Sequence, residues 1–304
     1  MPNLTVSPYF NLTMFINIGP YRYPALTWCL LLYVFIVCAN LAVVQTICRE
    51  KTLHEPMYIF VASLSFNALY GSTSFFPRFL LDLTSDAHLI SRFACFAQIY
   101  FIYTYAANEM TTLCVMAYDR YLAVCHPLQY HSMMTAKKAL ILVALAWVFP
   151  VFILSILISL SATLPLCGNE IQKVFCANWN VVKLSCVPTG VNNVVGMFIT
   201  ICTVFLPLAF VLYTYTRIIN VTWRSSAKFK GKVFQSCLPH MVSFVVYSVA
   251  AFSDIALSRY KMEDLNRFLA IFLSLEFVVI PPLINPLIYS MKLSYIRRHI
   301  FKKL

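Results

Sequence analysis

An Asp119-Arg120 pair closes an apolar run in the stretch MAYDRYLAVCHPLQY at 116–130, and Glu109 lies eleven residues upstream in the same run. An adjacent carboxylate lowers the cost of keeping a guanidinium at a partly dehydrated interface. The alternative is two side chains that snorkel to water. Eleven helical steps advance about 16.5 Å and return to within about 20° of the same face, so Glu109 and Arg120 would share one stripe. Ionisable groups in apolar segments are costly and face protein or water. Glu109 is therefore either a functional group or a protonated, hydrogen-bonded acid that only packs helices.

Other chemistry is sparse. The chain has no Cys-x-x-Cys, no His-Glu-x-x-His and no glycine-rich phosphate loop, and His126 and His131 sit five apart in a proline-containing loop. Neither an enzyme nor a metal site follows. Of 11 cysteines, Cys95, Cys167, Cys176 and Cys186 fall near one end of the third apolar run or in the loop after the fourth. In an oxidising space they suggest two disulfides, with three connectivities open. The other cysteines read as small buried hydrophobes.

The elements that must position these residues are membrane helices. The 304 residues are 61% hydrophobic and 11% charged, with a mean hydropathy of +0.76. Apolar runs recur near 25–48, 57–80, 93–118, 139–160, 192–216, 234–257 and 268–290. Each is long enough to cross about 30 Å of hydrocarbon as a helix. The expected fold is an all-α membrane protein, a seven-helix bundle over 1–304 as one domain, with no repeat or linker to divide it. Fifteen of the 23 Lys and Arg fall on one side with only Glu50, Glu55 and Asp119, so that side holds the whole net charge of +12. The positive-inside rule makes it cytosolic and puts 1–24 and the long loop 161–191 outside. The bases are scattered over short loops, without a stacking platform, which argues against nucleic acid and for the bilayer as partner. No removable signal peptide is read at the amino end. Asn3 and Asn11 open glycosylation sequons on the outer side, whereas the Asn220 sequon lies inside and reads as a chance match. In the tail, 292–304, Leu293, Ile296, Ile300 and Leu304 keep helical spacing among basic residues, the pattern of a short amphipathic eighth helix on the inner surface or else a basic tail without structure.

The stretch MAYDRYLAVCHPLQY resembles the end of the third helix in odorant receptors of the rhodopsin-like G-protein-coupled family. Agreement continues through Asn40, LHEPMYIF at 53–60, Cys95 and the three loop cysteines, Pro207 with Thr214-Tyr215, KVFQSCLPH at 232–240 and PPLINPLIY at 281–289. NALYGSTSFFPRF and SDAHLISRFACFAQIY look most like fish members. The resemblance implies a plasma-membrane receptor, without cofactor, that binds a small-molecule odorant and activates a heterotrimeric G protein of the stimulatory olfactory type. It implies that Asp119 holds Arg120 at rest, that Tyr121, Tyr215, His240, Asn285, Pro286 and Tyr289 belong to the activation switch, and that Asn40 and Glu109 are buried polar groups. It also implies Cys95–Cys176 and Cys167–Cys186 pairing. The ligand would meet Ile102, Tyr103, Ala106, Ala107, Thr200, Thr203, Ser248, Phe252 and Ile255. One departure stands out: where most relatives carry an aspartate in the second helix, this chain has Ala68, with Asn67 about 100° away around the helix. Glu109 is then expected to bond Asn40, Asn285 or water and to bind sodium weakly or not at all. Arg259 with Asp254, and Arg78 with Asp82, read as ion pairs, solvated ends or contacts to a charged solute. The competing readings are a related receptor with a non-olfactory ligand and, from another class, a transporter or channel, which would need repeated halves or a polar pathway.

Overall fold

The computed structural model describes residues 7–15, 19–259 and 266–292. The Asn3 sequon and the tail from 293 lie outside these residues. Among the described residues ten α-helices run in chain order: α1 Arg22–Arg49, α2 Pro56–Thr84, α3 Arg92–Cys125, the short α4 Tyr130–Met133, α5 Ala136–Ala162, the short α6 Asn178–Val182, α7 Gly190–Thr200, α8 Leu206–Trp223, α9 Ala227–Arg259 and α10 Arg267–Lys292. A π-helical segment, Ile201–Phe205, joins α7 to α8 into one span. Six of the resulting seven long helices are apolar enough to cross a membrane, and α3 is the seventh. Its hydropathy is lower because it carries the buried polar row Asn108, Glu109, Thr112 and Asp119. It packs against α2, α5, α8 and α9, so protein rather than lipid surrounds that row. On α1 and α5, by contrast, Leu31, Phe35, Leu145, Val148 and Phe152 are exposed, as a hydrocarbon solvent requires.

Helix starts follow local rules. Pro56 occupies the first turn of α2, where its missing N–H costs nothing. Ser91 and Thr135 cap α3 and α5 by accepting from the backbone N–H of Ala94 and Lys138.

Three internal prolines are met by neighbours. Each removes the N–H that would satisfy the carbonyl four residues earlier. For Pro286 that carbonyl is Pro282, which accepts from Asn40 Nδ2 on α1 at 2.9 Å. For Pro281 it is Phe277, which accepts from the Tyr105 hydroxyl on α3 at 3.0 Å. For Pro150 it is Ala146, whose oxygen lies 3.1 Å from Thr111 Oγ1, also on α3. Three side chains thus lock α10 and α5 to the bundle at the points where proline breaks their ladders. Helices α2 and α3 approach closely at Gly71: a Cβ there would meet the Tyr105 ring at 2.3 Å.

One end of the bundle is capped by a three-stranded sheet ordered β2-β1-β3: β1 Tyr9–Leu12, β2 Leu89–Ser91 and β3 Glu170–Ile171. Strand β1 is antiparallel to β2 and parallel to β3. Its alternation buries Phe10 and Leu12 against Ile90, Ile99 and Ile171, and leaves Asn11 half-buried. Arg92 anchors it, donating to Ser7 O at 3.0 Å while lying over the Phe10 ring. Bonds Cys95–Cys176 and Cys167–Cys186 fasten the 161–191 loop beneath this sheet. This is the lid end. The opposite end, which carries Arg120, Arg217 and Lys232, is the basic end.

Candidate ligand cavity and coupling site

Beneath the lid a cavity of about 170 Å³ lies between α3, α5, α7, α9 and the loop. Of the residues expected there, Tyr103, Ala106, Ala107, Thr200, Thr203 and Ile255 line it. Ile102, Ser248 and Phe252 do not. Each sits one step, about 100°, around its helix from a lining residue. Ile102 packs with Phe75, Phe76 and Tyr105 toward α2; Ser248 is buried; the Phe252 ring meets Phe205 edge-on at 5.8 Å. The π segment sets the local register of Thr200 and Thr203, both of which reach the cavity and bond back to their own helix.

The loop closes the cavity through polar bonds that a pattern of spans does not reveal. The backbone N–H of Cys176 donates to Gln98 Oε1 at 3.0 Å, and that of Asn178 to the Tyr103 hydroxyl at 3.1 Å. Lys173, 2% exposed, lies over the Phe175 ring and makes an ion pair with Asp254 on α9. Lys183 donates to Ser258 O at 3.0 Å on the same helix. Asp254 is thus held by a loop lysine; the Arg259 side chain lies outside the described residues. Arg78 and Asp82 form a bidentate pair at 2.7 and 2.8 Å. Asn178, Trp179, Asn192 and Asn193 also line the cavity, and nothing in their sequence spacing singled them out.

Midway down the bundle Glu109, 1% exposed, accepts from Asn67 Nδ2 on one oxygen and Asn285 Nδ2 on the other, both at 2.7 Å. The expected partner Asn285 is present. Asn40 is not a partner, being occupied by Ile36 O and Pro282 O. Asn67, set aside on its angle, is one, because the close approach at Gly71 brings α2 near enough for its amide to reach Tyr105 O as well.

At the basic end Asp119 is 1% exposed and accepts from Arg120 Nε at 3.1 Å and Nη2 at 2.5 Å. The Tyr130 hydroxyl donates to its second oxygen at 2.8 Å. Burial, and then the Asp119 carboxylate, push the Tyr130 phenol well above its ordinary pKa, so it remains a donor. Arg120 Nη1 reaches across to Ser236 Oγ on α9 at 2.7 Å. One turn on, His240 Nε2 lies 2.8 Å from Leu113 O, an acceptor only, so that nitrogen carries the proton. His240 Nδ1 then accepts from the Tyr215 hydroxyl at 2.6 Å. Tyr289 is buried beside a water-sized void of about 20 Å³ lined also by Asp119, Arg120, Ser236 and His240. Tyr121 sits at the rim, its hydroxyl 3.4 Å from His126. Pro286 acts through the carbonyl it leaves to Asn40.

Seven packed membrane helices with a lidded cavity at one end and a latched guanidinium at the other have the form of a transmembrane receptor. Residues 28–304 match the family model described as olfactory receptor. The chain is 34% identical to olfactory receptor 6N1 of Homo sapiens over 90% of its own length and 88% of that protein's. It is 31% identical to human olfactory receptor 10T2 over 95% and 91%, and 32% identical to olfactory receptor 1D2 of Pongo pygmaeus over 90% and 87%. The chain belongs to the olfactory receptor family, a family of multi-pass membrane receptors and not of enzymes.

Proposed function

We propose that this receptor binds a small-molecule odorant in the cavity under the lid and activates a heterotrimeric G protein of the stimulatory olfactory type at its basic end. The basic end faces the cytosol and the lid end faces outward at the plasma membrane, by the one-sided charge. Asn3 and Asn11 are then on the side where glycans are added. The observation that carries the reading is that a single helix, α9, joins the two sites. Asp254 lines the cavity and Ser236 holds Arg120, 18 residues or about 27 Å apart along it. His240 and Tyr247, between them, bond α9 to backbone carbonyls of α3. A ligand that favours a different position of α9 at the lid end therefore acts on the latch.

Asp119 and Ser236 hold Arg120 at rest. When α9 swings outward the guanidinium is released to meet the inserted end of a G-protein subunit, with Tyr215 and Tyr289 beside it. A place among fish-type receptors rests on NALYGSTSFFPRF and SDAHLISRFACFAQIY. The test is a cAMP reporter in transfected cells, screened against small volatiles, amino acids, bile acids and nucleotides. The expected result is a ligand-evoked rise in cAMP that Arg120→Ala abolishes while the variant still reaches the surface. An intact response in Arg120→Ala contradicts the mechanism.

A further inference from the structure

We infer that the cavity takes a neutral ligand about the size of one aromatic ring bearing a hydroxyl or primary amide, and that it excludes ammonium and carboxylate ligands. The inference rests on reading this cavity as the odorant site. Size comes first: 170 Å³ is close to the roughly 150 Å³ of a cavity that holds benzene. Leu154, Leu157, Ile199 and Ala107 offer one apolar wall for the ring.

The polar part of the lining carries no net charge. Asp254 belongs to it, and among the described residues its one partner is Lys173, on Oδ1. The Lys173 side chain is only 1% exposed and lies over Phe175, so the ammonium is spent on Asp254 and on the ring rather than offered to a ligand. An incoming ammonium would shed its hydration against a carboxylate already neutralised, and an incoming carboxylate would meet Asp254. A neutral O–H or N–H faces neither cost and can donate to the carboxylate. Two further lining groups are unmet: among the described residues, Asn178 Oδ1 and Asn192 Nδ2 are buried with no hydrogen-bond partner. One is an acceptor and the other a donor, and leaving either unpaired is unfavourable. A hydroxyl can accept from Asn192 Nδ2 while donating to either Asp254 or Asn178 Oδ1, and a primary amide, with two N–H groups, can accept from Asn192 and donate to both.

The experiment is thermal unfolding of the purified full-length receptor with toluene, benzyl alcohol, benzamide, benzylamine and benzoate, which vary the polar group on one ring. Benzyl alcohol and benzamide are expected to stabilise at concentrations about tenfold lower than toluene. Benzylamine and benzoate, charged at neutral pH, are expected to give no shift. Asn192→Leu, which removes a donor without disturbing the ion pair, should narrow the gap between the alcohol and toluene. Toluene matching the alcohol in the wild type, a charged ligand giving the largest shift, or no shift with any of them overturns the inference. Binding is read without a G protein, so this outcome is separate from that of Arg120→Ala in cells.

Discussion

Helix α9 is held at its two ends by different kinds of bond. At the lid end a buried ion pair, Lys173–Asp254, ties it to the disulfide-pinned loop. At the basic end the α9 groups are a serine hydroxyl and an imidazole, which contact Arg120 and Leu113 O. Removing one member of a buried ion pair strands the other charge at a cost of about 3–5 kcal/mol, whereas an ordinary hydrogen bond is worth about 1 kcal/mol. The lid end is therefore suited to stay closed around a ligand, and the basic end to open at modest cost. A receptor needs this asymmetry, because a ligand can shift an equilibrium only by the difference in its affinity for the two states.

Breaking the strong end should have the largest effect. Asp254→Ala is expected to lower stability by about 3–5 kcal/mol, seen as reduced surface expression and a lower unfolding temperature. The pair Lys173→Met with Asp254→Leu should return most of that loss. Next comes the spacer that sets the α2–α3 distance. Gly71→Ala places a methyl against a Tyr105 ring fixed by its bond to Phe277 O, and overpacking of this kind costs about 1–3 kcal/mol. The weak end should respond to less: Ser236→Ala removes one bond worth about 1 kcal/mol, and ligand-free cAMP signalling is expected to rise about fivefold. The smallest effect is expected midway. Both Glu109 oxygens accept amide N–H groups and Ala68 supplies no second carboxylate, so agonist potency should be the same in sodium and in potassium buffer.

The weak end was legible mainly through the resemblance of its motifs, which lie on regular helices, although Ser236 was not singled out. Asp119, Arg120, Tyr215 and His240 converge because helical periodicity and the order of the spans place them at one end. The middle was half legible. Asn285 was expected against Glu109, but Asn67 was missed because angle around a single helix says nothing about the distance between two helices, and Gly71 sets that distance. The strong end was largely illegible. Lys173 lies in an irregular loop whose path depends on which cysteines pair, and Asp254 carries no sign of which cation it will meet. The strand Tyr9–Leu12 was equally hidden, since four residues with one clear alternation are too short a pattern. Lining residues carried over from the family resemblance were partly off the wall, as Ile102, Ser248 and Phe252 each fell one step around the helix from it.

The central claim, that ligand binding at the lid end releases the basic end through α9, is tested most directly by a distance across that latch. Encoded spectroscopic labels at Leu128, fully exposed after α3, and at Lys232, exposed on α9, report the separation. An activating odorant is expected to lengthen it, and Ser236→Ala to populate the longer distance without ligand. An unchanged distance while the same odorant raises cAMP would contradict the account.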